Sequence, residues 1–178
     1  MPPLAHTAAA VRARTTRSAA DKYLAFTLAA ERFAIPILKI QEIIGLLDIT
    51  PVPRMPDWLR GVINLRGRVI PVIDLRLKLG LPRGIDGKRS CIVVVQMTAT
   101  ASSATAGQTL ILGAVVDLVN EVQNIPATDI EPAPAMGTGI DSACIVGMGK
   151  VGGKVVVLLD IEKALSTADL GAAQAASG

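Results

Sequence analysis

Five carboxylates stand beside or at the ends of apolar runs: Glu42, Asp74, Glu121, Asp160 and Glu162. Two of them in one cleft, with pKa values pushed apart, could run general acid–base chemistry. Four of the five, however, fall at matching places in two copies of one repeat, where capping and turn roles are the economical explanation. The only histidine is His6, near the N-terminus, so Ser–His and Cys–His nucleophiles and histidine-based zinc sites are not expected. Cys91 and Cys144 lie far apart inside apolar runs and read as buried free thiols of a reducing compartment. Gly147-Met148-Gly149-Lys150-Val151-Gly152 matches the spacing of a dinucleotide-binding loop, but that loop must open a helix whose N-terminus holds the pyrophosphate. Here it leads into Lys154-Val155-Val156-Val157-Leu158-Leu159, a strand, so a hairpin is expected. No catalytic residue, cofactor or metal is expected, and the chain does not read as an enzyme.

One arginine stands apart. Gly61-Val62-Ile63-Asn64-Leu65-Arg66-Gly67 runs into Arg68-Val69-Ile70-Pro71-Val72-Ile73-Asp74, two strand-like runs joined by a tight connection that carries Arg66. An arginine at such a turn must reach solvent or a partner. A shift of 86 residues lays Gly61 on Gly147, Gly67 on Gly153, Val69 on Val155 and Asp74 on Asp160, while Arg66 meets Gly152 and Asn64 meets Lys150. The hairpin itself therefore does not require the arginine.

The repeat extends upstream. A shift of 79 lays Ala34-Ile35 on Gly113-Ala114, Ile40 on Val119, Glu42 on Glu121 and Ile43 on Val122. Each copy reads as two strands, the second running into a glutamate, then a spacer and a glycine-bracketed hairpin closed by an aspartate. Two copies are too few for a solenoid and point to paired subdomains. The glycines at 61, 67, 147 and 153 are expected in tight turns. Asp74 and Asp160 are expected to cap the helical turns that follow.

The elements that position these residues are mostly strands. Short runs rich in β-branched residues, such as Cys91–Val95, Leu110–Leu112 and Val155–Leu159, are bounded by Gly, Pro and Asp. Hydrophobic residues make up 51% and aromatics 2%, so Val, Ile, Leu and Ala must fill the core. Tyr23, Phe26 and Phe33 are expected in that core, and Trp58 in packing beneath the first hairpin or, alternatively, as an exposed anchor. With so few aromatic platforms, single-stranded nucleic acid is a poor ligand.

The net charge of +3 belongs to the N-terminal tail. Residues 1–20 hold Arg12, Arg14 and Arg17 and no acid. Without those three, the 18 basic residues fall to the same 15 as the acids, so no basic face for nucleic acid is indicated. Ser90 to Val116 is uncharged and long enough to span a bilayer, but its centre is Ala/Thr/Ser-rich, which suits two strands and a loop better than a membrane helix. The expected organisation is a disordered basic tail over 1–20, one domain of two pseudo-repeated subdomains over 21–167 with a flexible loop near 98–108, and a disordered tail over 168–178.

Several ordered blocks carry a resemblance. They are Tyr23–Leu28, Phe33–Ile37, Ile40-Gln41-Glu42-Ile43-Ile44, Val52-Pro53-x-x-Pro56, Gly61–Gly67, Val69–Arg76, Gly147–Gly149 and Val155–Asp160. Together, from Lys22 to Leu165, they resemble the CheW-type chemotaxis coupling proteins. The resemblance implies two intertwined SH3-like five-stranded β-barrel subdomains sharing a core, with short helices. It implies a cytoplasmic, non-enzymatic adaptor without cofactor, recruited to membrane-associated receptor arrays with no insertion of its own. Its partners would be the tips of methyl-accepting chemoreceptors, received as a helical hairpin in a groove, and the regulatory domain of the histidine kinase CheA. Ile40, Glu42, Gly61, Val62, Asn64 and Arg66 match the receptor-facing positions, with Glu42 expected to pair with Arg66 or, alternatively, to cap a turn. Leu47, Ile49 and Val52 are the expected kinase contacts, as exposed apolar residues at a barrel end. With no phospho-acceptor domain, ATP-binding motif or receiver-like acidic cluster, a free-standing adaptor is expected over a fragment of a larger kinase. The alternatives are a regulatory module of another CheA-like pathway, such as pilus motility, and a small nucleotide-binding β-barrel enzyme.

Overall fold

A computed structural model describes residues 21–84, 86–98, 109–132 and 144–164. The expectations for the two tails and for the loop near 98–108 lie outside these residues, apart from the backbone of Thr98. The strands are β1 Lys22–Leu28, β2 Glu31–Pro36, β3 Ile40–Gly45, β4 Leu59–Leu65, β5 Arg68–Asp74, β6 Cys91–Thr98, β7 Thr109–Val116, β8 Leu118–Asn124, β9 Ile130–Glu131, β10 Ile145–Val151 and β11 Lys154–Leu159. Single helical turns, α1 Leu75–Lys78 and α2 Ile161–Ala164, follow β5 and β11, and 3-10 turns occupy Ile37–Lys39 and Ala127–Asp129. Asp74 accepts from the Leu77 N–H, and Asp160 from Glu162 and Lys163, so both caps form as expected.

The strands make two sheets, ordered β8-β1-β2-β11-β10-β9 and β3-β6-β7-β5-β4. The two-residue β9 adds a sixth strand to the first. Neither sheet holds one copy of the repeat. The first copy supplies β1 and β2 to the six-stranded sheet and β3, β4 and β5 to the other; the second copy does the converse. Parallel pairs join the exchanged parts, Phe33 opposite Val157 in one sheet and Val72 opposite Gly113 in the other.

Strand alternation explains the exchange. Ile92 and Val94 of β6, with Ile70 and Val72 of β5, fill a cluster inside the five-stranded sheet. Val93, Val95 and Met97, on the opposite face of β6, join Ile73, Phe26, Phe33, Ile35 and Leu159 in a larger cluster that spans both sheets. On β11, Val156 and Leu158 serve a third cluster within the six-stranded sheet. Strands buried on both faces read as continuous apolar runs rather than as alternating ones, which is why the aliphatic chain needs few aromatics. Phe26 and Phe33 stack at the centre with ring centroids 6.2 Å apart. Tyr23 is half-buried against the third cluster, and Trp58 packs on the shared one beneath Lys78, whose Nζ lies 4.7 Å from the ring centroid.

Two expectations change. Gly61 and Gly147 lie within β4 and β10 at β-bulges, not in turns. A β-carbon on Gly61 would fall on the Thr50 carbonyl, and one on Gly147 would sit 2.7 Å from the Glu131 carbonyl oxygen. Close backbone approach is therefore what glycine serves there. Cys144 is buried but Cys91 only half-buried, and no disulfide joins them.

Candidate partner-binding site

β3 and β4 are the two edges of the five-stranded sheet, and residues 50–66 bring them together. Thr50 exchanges two 2.9 Å backbone hydrogen bonds with Val62. Beyond this bridge the β4–β5 hairpin turns at Arg66 and Gly67, with φ of 53° and 84°. Positive φ at both central residues marks the type I′ geometry, which favours Asn-Gly or Gly-Gly. The sister turn has the same backbone, with φ of 55° at Gly152 and 77° at Gly153. A side chain on left-handed backbone costs about 1–2 kcal/mol, so Arg66 is held against the local preference of its own turn.

Its guanidinium meets Glu42 end-on, Nη1 donating to Oε1 at 3.0 Å and Nη2 to Oε2 at 2.8 Å. The Glu42 side chain is 20% exposed and that of Arg66 74%. The fork is thus oriented by a well-seated carboxylate while most of it faces solvent. An exposed pair of this kind adds roughly 0–1 kcal/mol, too little to account for the turn strain. The capping alternative for Glu42 does not apply, because it lies within β3 at a bulge between Ile40 and Glu42.

The remaining expected residues divide. Asn64 Oδ1 accepts from the Gly67 N–H at 2.9 Å and so closes the turn. Gly61 makes room for Thr50, and Val62 carries the bridge to it. Ile40 packs partly against the shared core. Of the three expected kinase contacts only Leu47 is exposed; Val52 is half-buried, and Ile49 is packed on the cluster within the five-stranded sheet. Leu38, Ile43, Val69, Val122, Val146 and Val155 are exposed apolar residues that the sequence reading passed over. Ile43 and Val122, and Val69 and Val155, are repeat-related, and that pairing was the available signal.

The sister seam is built differently. Glu121, aligned with Glu42, is exposed and accepts from Gln123 at 3.0 Å. Lys150, aligned with Asn64, reaches Glu131 at 2.6 Å, and that hydrogen bond raises the lysine pKa. A lysine on an ordinary strand position thus bridges one seam without a strained turn.

No cluster of three or more potential metal ligands occurs among the described residues, and none of their helices is long and apolar enough to cross a membrane. Two interlocked β-subdomains that present an oriented arginine on an exposed edge define a binding scaffold. The model of the CheW-like domain matches residues 22–169. The chemotaxis protein CheW of Klebsiella aerogenes is 36% identical over 150 residues, covering 84% of each chain, and that of Helicobacter pylori 34% over 144 residues, covering 81% of each. The crystal structure of the scaffolding protein TtCheW from Thermoanaerobacter tengcongensis superposes with a TM-score of 0.70 at 32% identity, covering 82% of this chain and 88% of that one. The chain belongs to the CheW-like family. Its fold is accordingly that of two SH3-like subdomains, and it is a non-enzymatic scaffold of chemotaxis signalling.

Proposed function

We propose that this scaffold couples the cytoplasmic tips of chemoreceptors to the regulatory domain of the kinase CheA, within arrays on the cytoplasmic side of the membrane. Arg66 is the receptor-side anchor, oriented by Glu42, with Ile40 and Val62 beside it; Gly61 and Asn64 shape the strand and turn that carry it. Leu47 is the exposed member of the kinase-side segment that includes Ile49 and Val52. The observation that carries this reading is the arginine kept on left-handed backbone where the sister hairpin has Gly152. Its end-on pair with Glu42 leaves the Nε–H and outer N–H groups without a protein partner among the described residues. Arginine's planar fork suits directed hydrogen bonding to a partner's acceptors.

The test is a titration of the purified protein with a receptor-tip fragment and, separately, with the CheA regulatory domain. Arg66→Ala is expected to weaken receptor binding tenfold or more, the loss of about 1.4 kcal/mol or more, and to leave kinase binding unchanged. Equal affinity of wild type and Arg66→Ala for the receptor fragment would remove Arg66 from the interface. Failure of the folded wild type to bind either partner would remove the coupling role.

A further inference from the structure

The chain passes between the two sheets at two described crossovers, and each is held by an ion pair to a helical turn. After β7, Asp117 takes the chain from the five-stranded to the six-stranded sheet. Arg76 of α1 grips it, Nε donating to Oδ1 at 2.9 Å and Nη2 to Oδ2. After β2, the Ile37–Lys39 turn takes the chain the opposite way, and Lys39 reaches Glu162 of α2 at 2.6 Å. Arg76 and Glu162 are related by the 86-residue repeat. The two clasps thus carry opposite charge at repeat-related positions of α1 and α2, and grip crossover residues one position out of repeat register.

They differ in strength. The Arg76 clasp is bidentate, with side chains 18% and 27% exposed. It is also tied into backbone: Asp117 Oδ2 accepts from the Ala29 N–H at 2.9 Å, and the Asp117 N–H donates to the Thr27 carbonyl at 3.1 Å. Ala29 and Ala30 turn β1 into β2 with φ of 49° and 69°, left-handed values that alanine avoids. The carboxylate that Arg76 holds thus also fastens a strained hairpin. A β-carbon on Gly84 would fall on the Arg76 guanidinium, so the loop after α1 closes over the pair. The Lys39 clasp has one hydrogen bond and side chains 42% and 30% exposed. Beside it lies a recess of about 170 Å³ lined by Pro36, Val146, Leu159 and Ile161 as well as the pair itself.

We propose that the two crossovers form an unequal joint: the Arg76–Asp117 clasp is the fixed pin, and the Lys39–Glu162 clasp is a releasable latch whose opening widens the recess between α2 and the Ile37–Lys39 turn. A partly exposed pair with a single hydrogen bond is weak and salt-screened, whereas the carboxylate on the other side is held by a bidentate arginine and a backbone N–H together. The latch is independent of the receptor reading, since it involves none of those residues.

Amide hydrogen exchange on the full chain tests it, with Ile40 and Ala164 reporting the latch and Ala29 and Asp117 the pin. The latch amides are expected to exchange faster than the pin amides, and faster again at high salt. Lys39→Glu places a second carboxylate beside Glu162 and Asp160. It should accelerate the latch amides about fivefold, the equivalent of losing an exposed ion pair, and leave the pin unchanged. The double variant Lys39→Glu/Glu162→Lys should restore protection. Simple fraying of α2 would be indifferent to Lys39→Glu and to its rescue, and that result overturns the proposal. So does a wild type whose latch amides are as protected as the pin's and insensitive to salt, a reading that needs no variant to fold.

Discussion

The β4–β5 and β10–β11 hairpins share turn geometry, bulge position and the glycine that admits a neighbouring carbonyl, yet they carry different side chains at the turn. In the second hairpin Gly152 suits the backbone, and a lysine two residues earlier makes the seam contact. In the first, Asn64 closes the turn, and the seam contact falls to an arginine in a conformation that disfavours it. A fold optimised only for stability would use the second solution twice. The first departs from it where an oriented guanidinium reaches solvent.

The comparison breaks most forcefully at the bulges. Gly61→Ala places a β-carbon on the Thr50 carbonyl at φ of +144°, whereas Gly147→Ala meets a carbonyl without positive φ. Both should destabilise, Gly61→Ala by about 3 kcal/mol and Gly147→Ala by about 2 kcal/mol, read as shifts in urea midpoint. Equal midpoints for wild type and Gly61→Ala would mean that Thr50 does not approach as described.

At the turns the effects are smaller and opposed. Gly152→Ala should cost about 1 kcal/mol, because it introduces the strain that the first hairpin already carries. Arg66→Gly should stabilise by up to about 1 kcal/mol, the relief of strain exceeding the lost pair with Glu42. A large loss on Arg66→Gly would show the pair to be a structural clasp, and the contrast between the hairpins would lose its functional meaning. Asn64→Ala removes one exposed hydrogen bond and should cost about 0.5 kcal/mol, by the same denaturation measurement.

The smallest effect separates the two faces of β6. Burial pushes the Cys91 thiol pKa up, only partly countered by a backbone hydrogen bond from Val119. Less thiolate is present at a given pH, so Cys91 should alkylate more slowly at pH 8 in the folded protein than in the unfolded chain. Equal rates would place the thiol in water.

Much of this was legible in the residues. The two offsets of 86 and 79 located both hairpins and both capping aspartates, and the mismatch of Arg66 with Gly152 singled out the arginine proposed here as the receptor-side anchor. Ile49 shows the limit. It is apolar and lies in a loop-like stretch, as Leu47 does, and only packing against the buried cluster separates core from surface there.

Periodicity and composition alone established the β class and the pairing of two copies, because those depend on nearest-neighbour backbone preferences and side-chain inventory. The exchange of strands between sheets, the role of Gly61 as a gap for Thr50 and the unequal clasps were settled by folding. The two clasps join residues 41 and 123 positions apart. Which of many compatible side chains meet over such separations depends on how two half-formed sheets bury a common core, and no local pattern encodes that choice.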